Sequence, residues 1–154
     1  DGMANTFHRL VVHLVWAVRA RRLALVGQVE TTVRKALARK ARDIGASAVA
    51  SGGTADHVHV LVRYPTAVAV AELARQLKGA SSYQANACEV DDERFAWQSG
   101  YAALSVDAAH VAGLRSYIEL QKVHHAAGTS QPDMEFASAD SSAADTDASS
   151  QGEA

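Results

Sequence analysis

The chain has 154 residues, 48% hydrophobic and 21% charged, the balance of a globular domain with a real core and too few residues for two. No apolar run approaches the ~20 residues of a membrane span, no signal-peptide pattern opens the chain, and no membrane partner is expected. One cysteine, Cys88, excludes an internal disulfide and fits a reducing cytoplasm. The net charge of −2 is uneven: six of the 17 acids follow Pro132, where no Lys or Arg stands, so the rest carries four surplus positive charges. That surplus permits a phosphate-bearing partner without requiring one. Asp1-Gly2 ahead of Met3 reads as the remnant of a tag.

Thr6 to Val18 (TFHRLVVHLVWAV) predicts a strand, apolar on both faces at its middle and therefore central in a sheet. His13 inside it reads as a buried structural histidine, contact with a site being the sharper alternative. Arg19, Arg21 and Arg22 at the strand's end are either solvated surface or phosphate contacts. From Gln28 to Ile44, Val29, Val33, Leu37, Ala41 and Ile44 recur at helical spacing, with Arg34, Lys35, Arg39 and Arg42 on the other faces and Gly45 as the closing residue. Ala46 to Ser51 predicts a second strand, and Gly52, Gly53 and Thr54 a turn into a third.

That third strand, Ala55 to Val62 (ADHVHVLV), alternates so that His57 and His59 share one face and Val58 and Val60 the other. At ~3.3 Å per residue the two imidazoles stand about 7 Å apart, close enough to converge on one divalent metal. The plainer reading is two half-exposed histidines. Pro65 stops the strand, and Thr66 is expected to cap a helix with inner stripe Val70, Leu73, Leu77 and Ala80, leaving Arg75, Lys78, Ser81 and Ser82 off it. Cys88 near its end reads as a small packed residue.

Asp91 to Arg94 is a polar loop, and Phe95, Trp97 and Tyr101 are core, lid or base-stacking aromatics. Gly100 to Val106 predicts a fourth strand. Asp107 then caps a final helix reaching about His124, with Val111, Leu114 and Ile118 inward and Gly113 a weak point. After Gly128 the chain turns to Ala, Ser, Asp and Thr, a composition for a disordered or extended tail. The expected organisation is a domain over 3–128 and a tail over 129–154. The fold class is α+β: a ferredoxin-like sandwich with a mostly antiparallel sheet of four to five strands, helices on one face, and a C-terminal helix bearing a tyrosine.

On that last helix Tyr117 and Gln121 are four apart and share a face. They are either a packed tyrosine and a surface glutamine, or a hydroxyl beside an amide able to bind a metal. His124 and His125 are further possible ligands or polar surface.

Several stretches, in this order, make the sequence similar to the single-tyrosine HUH transposases, the IS200-like enzymes of insertion sequences that move as single-stranded DNA. They are His13-Leu14-Val15-Trp16 followed by arginines, Asp56 to Val62, Leu77 to Ser82, Phe95 to Gln98 with Gly100-Tyr101, and Tyr117 to Gln121 leading to His124-His125. Ala55 stands where many relatives have proline and Leu120 where asparagine is common, and the acidic tail has no counterpart. The resemblance implies that His57, His59 and Gln121 hold a divalent cation, Mg or Mn. It also implies that Tyr117 is the nucleophile, giving a 5′-phosphotyrosine and a free 3′-OH. It implies a homodimer, each site combining the histidines of one subunit with the tyrosine helix of the other, that binds DNA hairpins and cleaves flanking single strands.

Arg19, Arg21, Arg22 and Lys78 are the expected contacts to the DNA backbone. Asp56 either orients a histidine or caps a turn. The expected location is the cytoplasm of a bacterium or archaeon. A domesticated relative that processes palindromes, a non-catalytic nucleic-acid-binding module and a hydrolase using water stay open as alternatives.

Overall fold

Val11–Ala17 (VVHLVWA) forms β1 with all seven residues buried. Such a run of apolar and β-branched side chains needs cover on both faces. The computed structural model describes residues 6–88 and 93–121, and within them β1 is an inner strand of the antiparallel sheet β2-β3-β1-β4. The other strands are β2 (Ser47–Thr54), β3 (His57–Arg63) and β4 (Ala102–Ser105). Helices α1 (Gly27–Asp43) and α2 (Val70–Asn86) connect them in the ferredoxin-like order, and α3 (Val111–Glu119) follows β4.

The two faces of the sheet have different covers. Val12, Leu14 and Trp16 of β1 and Val58, Val60 and Val62 of β3 pack with Val33, Leu37, Leu73 and Leu77 of α1 and α2 into the main core. Each such fully buried side chain contributes roughly 1.5–3 kcal/mol. Trp97 closes this core edge-on to Trp16 and Phe95, and its indole N–H donates to Ser81 Oγ at 2.9 Å. The opposite face carries His13, His57 and His59. A smaller cluster covers it in part, with Tyr117 and Ile118 of α3 on Val11, Ala50 and Leu61.

A bulge in β2 sets which of its residues meet α3. Ala48 pairs with Val62, but the next pairing is Ala50 with Leu61, so Val49 is the extra residue. Ala48 therefore packs on the α1/α2 core while Ala50 joins the opposite cluster, although strict alternation would put both on one face. Beyond the bulge, Gly52 stands opposite His59 and Thr54 opposite His57.

The structure corrects several sequence expectations. Gly52, Gly53 and Thr54 are part of β2, and the turn into β3 is Ala55-Asp56. Its two carbonyls accept from Leu25 and Val18 backbone N–H groups, both at 2.8 Å, which makes the tighter turn affordable. Strand β1 starts at Val11 rather than Thr6. Helix α2 starts at Val70 after Ala69, without a side-chain cap from Thr66. Its buried stripe takes in Ser81, which satisfies its hydroxyl on the Leu77 carbonyl, whereas Ala80 is only half-buried. Asp107 does cap, accepting from the N–H groups of Ala109 and His110, but the turn it caps is a short 3-10 segment ahead of α3. The expected reach of the last helix to His124, and the tail, lie outside the described residues.

Candidate active site

β3 brings His57 and His59 onto one face with ring centroids 5.1 Å apart, and both rings are buried. Each Nδ1 is engaged. On His57 it lies 2.7 Å from Asp56 Oδ1 and 2.9 Å from Thr54 Oγ1. A carboxylate only accepts, so His57 carries a proton on Nδ1, and the neutral ring then has its lone pair on Nε2. On His59, Nδ1 is 2.9 Å from His13 Nε2. The Nε2 atoms of both histidines and Oε1 of Gln121 are all screened from solvent.

Asp56 is held in turn. Burial raises its pKa, but the hydrogen bonds from His57 and Thr54 and the charge of Arg21 outweigh this, and the net direction is down. The Arg21 guanidinium reaches Asp56 Oδ2 at 3.1 Å. Ala20 and Arg21 both adopt left-handed backbone angles (φ 55° and 54°), a strained turn for non-glycine residues worth on the order of 1 kcal/mol each. That turn delivers Arg21 to the carboxylate that orients His57.

Tyr117 and Gln121 come from α3 and its end and are 6% and 0% exposed. The Tyr117 ring stands edge-on to His59 with centroids 6.5 Å apart, within the same chain. Gly52 is why the helix can come this close: a Cβ there would fall 2.1 Å from the Ile118 carbonyl oxygen. Among the described residues no group of three or more His, Cys, Asp or Glu is arranged to hold a metal. The third donor expected from the sequence is the amide of Gln121, outside those residue types.

The residues expected to touch DNA have different partners. Arg21 is on Asp56, and Arg22 pairs with Glu93 Oε2 at 2.8 Å. Arg19 and Lys78 instead line a common cleft of about 370 Å³ with Arg94, Phe95 and Trp97. The Lys78 ammonium donates to the Gln98 and Gly100 carbonyls at 2.9 and 2.8 Å, and its burial lowers its pKa. Phe95 and Trp97 are core, while Tyr101 is 41% exposed. His13 and Thr54 are the site residues that sequence reasoning left at the margin. His13 shares the His59 face only through the register of β1 against β3, which pairs Val15 with His59 and His13 with Leu61.

Residues 6–121 match the family described as Transposase IS200 like. The chain belongs to that transposase family. It is similar to the ISDra2 transposase TnpA of Deinococcus radiodurans, 28% identical over 119 residues that cover 74% of this chain and 85% of the relative. A solved structure from Deinococcus radiodurans R1, assigned as a transposase, superposes with a TM-score of 0.63 at 25% identity, covering 79% of this chain and 97% of the other. A REP-associated tyrosine transposase bound to a REP hairpin shares the fold, with a TM-score of 0.59 at 17% identity over 81% of this chain and 74% of that one. No helix among the described residues of this transposase is long and apolar enough to cross a membrane.

Proposed function

We propose that this transposase cleaves and rejoins single-stranded DNA through a covalent 5′-phosphotyrosine at Tyr117, assisted by a divalent cation. The observation that carries the reading is Tyr117 beside His59, over a histidine pair whose Nδ1 atoms are both engaged. His57, His59 and Gln121 would hold the cation, Mg or Mn. Two imidazole nitrogens and an amide oxygen form a neutral donor set, which leaves the full charge of the ion for a phosphate. A cation bound there supplies Lewis acidity toward a non-bridging phosphate oxygen.

Tyr117, with an ordinary phenol pKa of ~10, must lose its proton as it attacks. Its Oη forms a bond to phosphorus while the bond from phosphorus to the 3′ oxygen breaks, and that oxygen leaves as a 3′-OH. The upstream strand then ends in a hydroxyl and the downstream strand is held on Tyr117. Because the phosphodiester bond is exchanged rather than hydrolysed, another 3′-OH reverses the step without a nucleotide cofactor. The buried setting of Tyr117 disfavours water as the competing nucleophile.

A hairpin partner is proposed by analogy with the hairpin-bound relative. Arg19 and Lys78, which share a cleft, are the proposed contacts to the flanking strand. Two chains exchanging α3 would build the same pair of sites in a homodimer, each tyrosine serving the partner's histidines. The proposed place of this work is the cytoplasm of a bacterium or archaeon.

The test is cleavage of labelled single-stranded DNA from the flanks of the chain's own gene, with Mg2+ or Mn2+ and with chelator. Wild type should cut only with metal, and His57→Ala should lower the rate at least 100-fold. Metal-independent cutting that survives His57→Ala would remove the cation from the mechanism. Tight hairpin binding with no cutting under either metal would assign the chain to a binding role.

A further inference from the structure

His13 is 1% exposed, sits at the middle of an inner strand, and has no role in the chemistry above. The register pairs His13 with Leu61 and Val15 with His59, so His13 and His59 are diagonal neighbours on one face. Their rings stack at 5.1 Å with an interplanar angle of 23°, and His13 Nε2 lies 2.9 Å from His59 Nδ1. A buried imidazole paired with Leu61, on the strand face that also carries Val11, is a costly choice where an apolar residue would pack. The contact also excludes His13 as a third cation ligand, because it meets His59 on the nitrogen that faces away from Nε2.

We propose that His13 is a positioning residue, accepting the Nδ1–H of His59 at its own Nε2 and so locking His59 in the tautomer that presents Nε2. One nitrogen of such a pair must donate and the other accept. If His59 donates from Nδ1, its lone pair is on Nε2, and His13 keeps its own proton on Nδ1. The opposite assignment would put the His59 proton on Nε2, where a cation has to bind. His13 thus does for His59 what Asp56 does for His57, using a neutral acceptor where the other ring has a carboxylate. A neutral acceptor orients the ring without adding negative charge beside the phosphate. Outer partners of this kind are typically worth 10–100-fold in metal affinity.

The proposal rests on His59 being a cation ligand, and two measurements separate its failure from the failure of that reading. Long-range 1H–15N correlation spectra of the metal-free full chain report which nitrogen of each imidazole is protonated. Both His59 and His13 must carry their proton on Nδ1; a His59 proton on Nε2 overturns the proposal, whether or not metal binds. The second measurement is calorimetric titration with Mn2+. His13→Phe fills the space without an acceptor and should lose roughly 10–100-fold in affinity, and His13→Gln, whose amide oxygen accepts, should recover most of it. Equal affinity in wild type and His13→Phe, or a loss that His13→Gln does not relieve, assigns His13 to packing and overturns the proposal. Wild type that binds no Mn2+ defeats the cation reading instead, and the tautomer of His59 still decides what His13 does. If His13→Phe fails to fold, the wild-type spectra decide alone.

Discussion

Substituting Gly52 tests whether the seat of α3 controls the chemistry. An added Cβ would stand 2.1 Å from the Ile118 carbonyl oxygen, 3.0 Å from its carbon and 3.3 Å from its Cγ2. The obstructing atoms are mostly backbone, so no rotamer relieves them. Helix α3 must withdraw by about 1 Å to restore van der Waals separation. Overpacking of this kind costs about 1–3 kcal/mol, which in a domain near 100 residues lowers the melting temperature by roughly 5–15 °C. Tyr117 moves with the helix, and a displacement of about 1 Å at a reacting group can cost on the order of 100-fold in rate.

Gly52→Ala should therefore slow covalent adduct formation far more than it reduces the folded population at 25 °C. The matched control is Gly113→Ala within α3, where an added Cβ meets nothing within 4 Å. It should raise stability by about 0.5–1 kcal/mol and leave the adduct rate unchanged. Differential scanning calorimetry and single-turnover gels read the two quantities. Gly52→Ala that melts with wild type and forms adduct at the wild-type rate would refute the close approach of α3 as the device that places Tyr117.

Asp56→Ala removes the acceptor on His57 Nδ1 and the partner of Arg21, and should weaken Mn2+ binding roughly 10–100-fold; unchanged affinity in calorimetry would make Asp56 a turn residue only. Glu72 offers a pH test away from the site. Hydrogen bonds from Arg75 and Gln76 lower its pKa from 4.5 to about 2. The folded value is depressed, so the pair's contribution is present above the ordinary value and is lost as pH falls toward the folded one. A carbon-detected NMR titration should show the Glu72 midpoint near 2, returning toward 4.5 in Arg75→Gln. A midpoint that ignores Arg75→Gln would contradict the pairing.

The histidine pair was legible in the sequence because strand alternation is a local rule that β3 obeys without interruption. The α1 stripe and most of the α2 stripe were legible because helical spacing is also a local rule, although Ser81 rather than Ala80 is buried on α2. β2 was harder, since a bulge is a relation between two strands and leaves no mark in Ser47–Thr54 alone. Gly52 and Gly53 carry a strong turn signal, yet one clears the path of α3 and the other the backbone of β3. The partnership of His13 with His59 depends on the register of β1 against β3, which no spacing within either strand reveals. The arginines after β1 read as one basic cluster, and only the left-handed turn at Ala20 and Arg21 sends them to different partners.

The central claim, a 5′-phosphotyrosine at Tyr117, is tested most directly by the strand end that stays with the protein. Single-stranded DNA from the chain's own flanks, labelled at its 3′ end in one sample and its 5′ end in another, is incubated with Mn2+ and run on a denaturing gel. The account predicts a slow protein band carrying the 3′ label only, in wild type and not in Tyr117→Phe, with the nucleotide mapped to the Tyr117 peptide by mass spectrometry. Cleavage that persists in Tyr117→Phe without any covalent band would contradict it and make water the nucleophile.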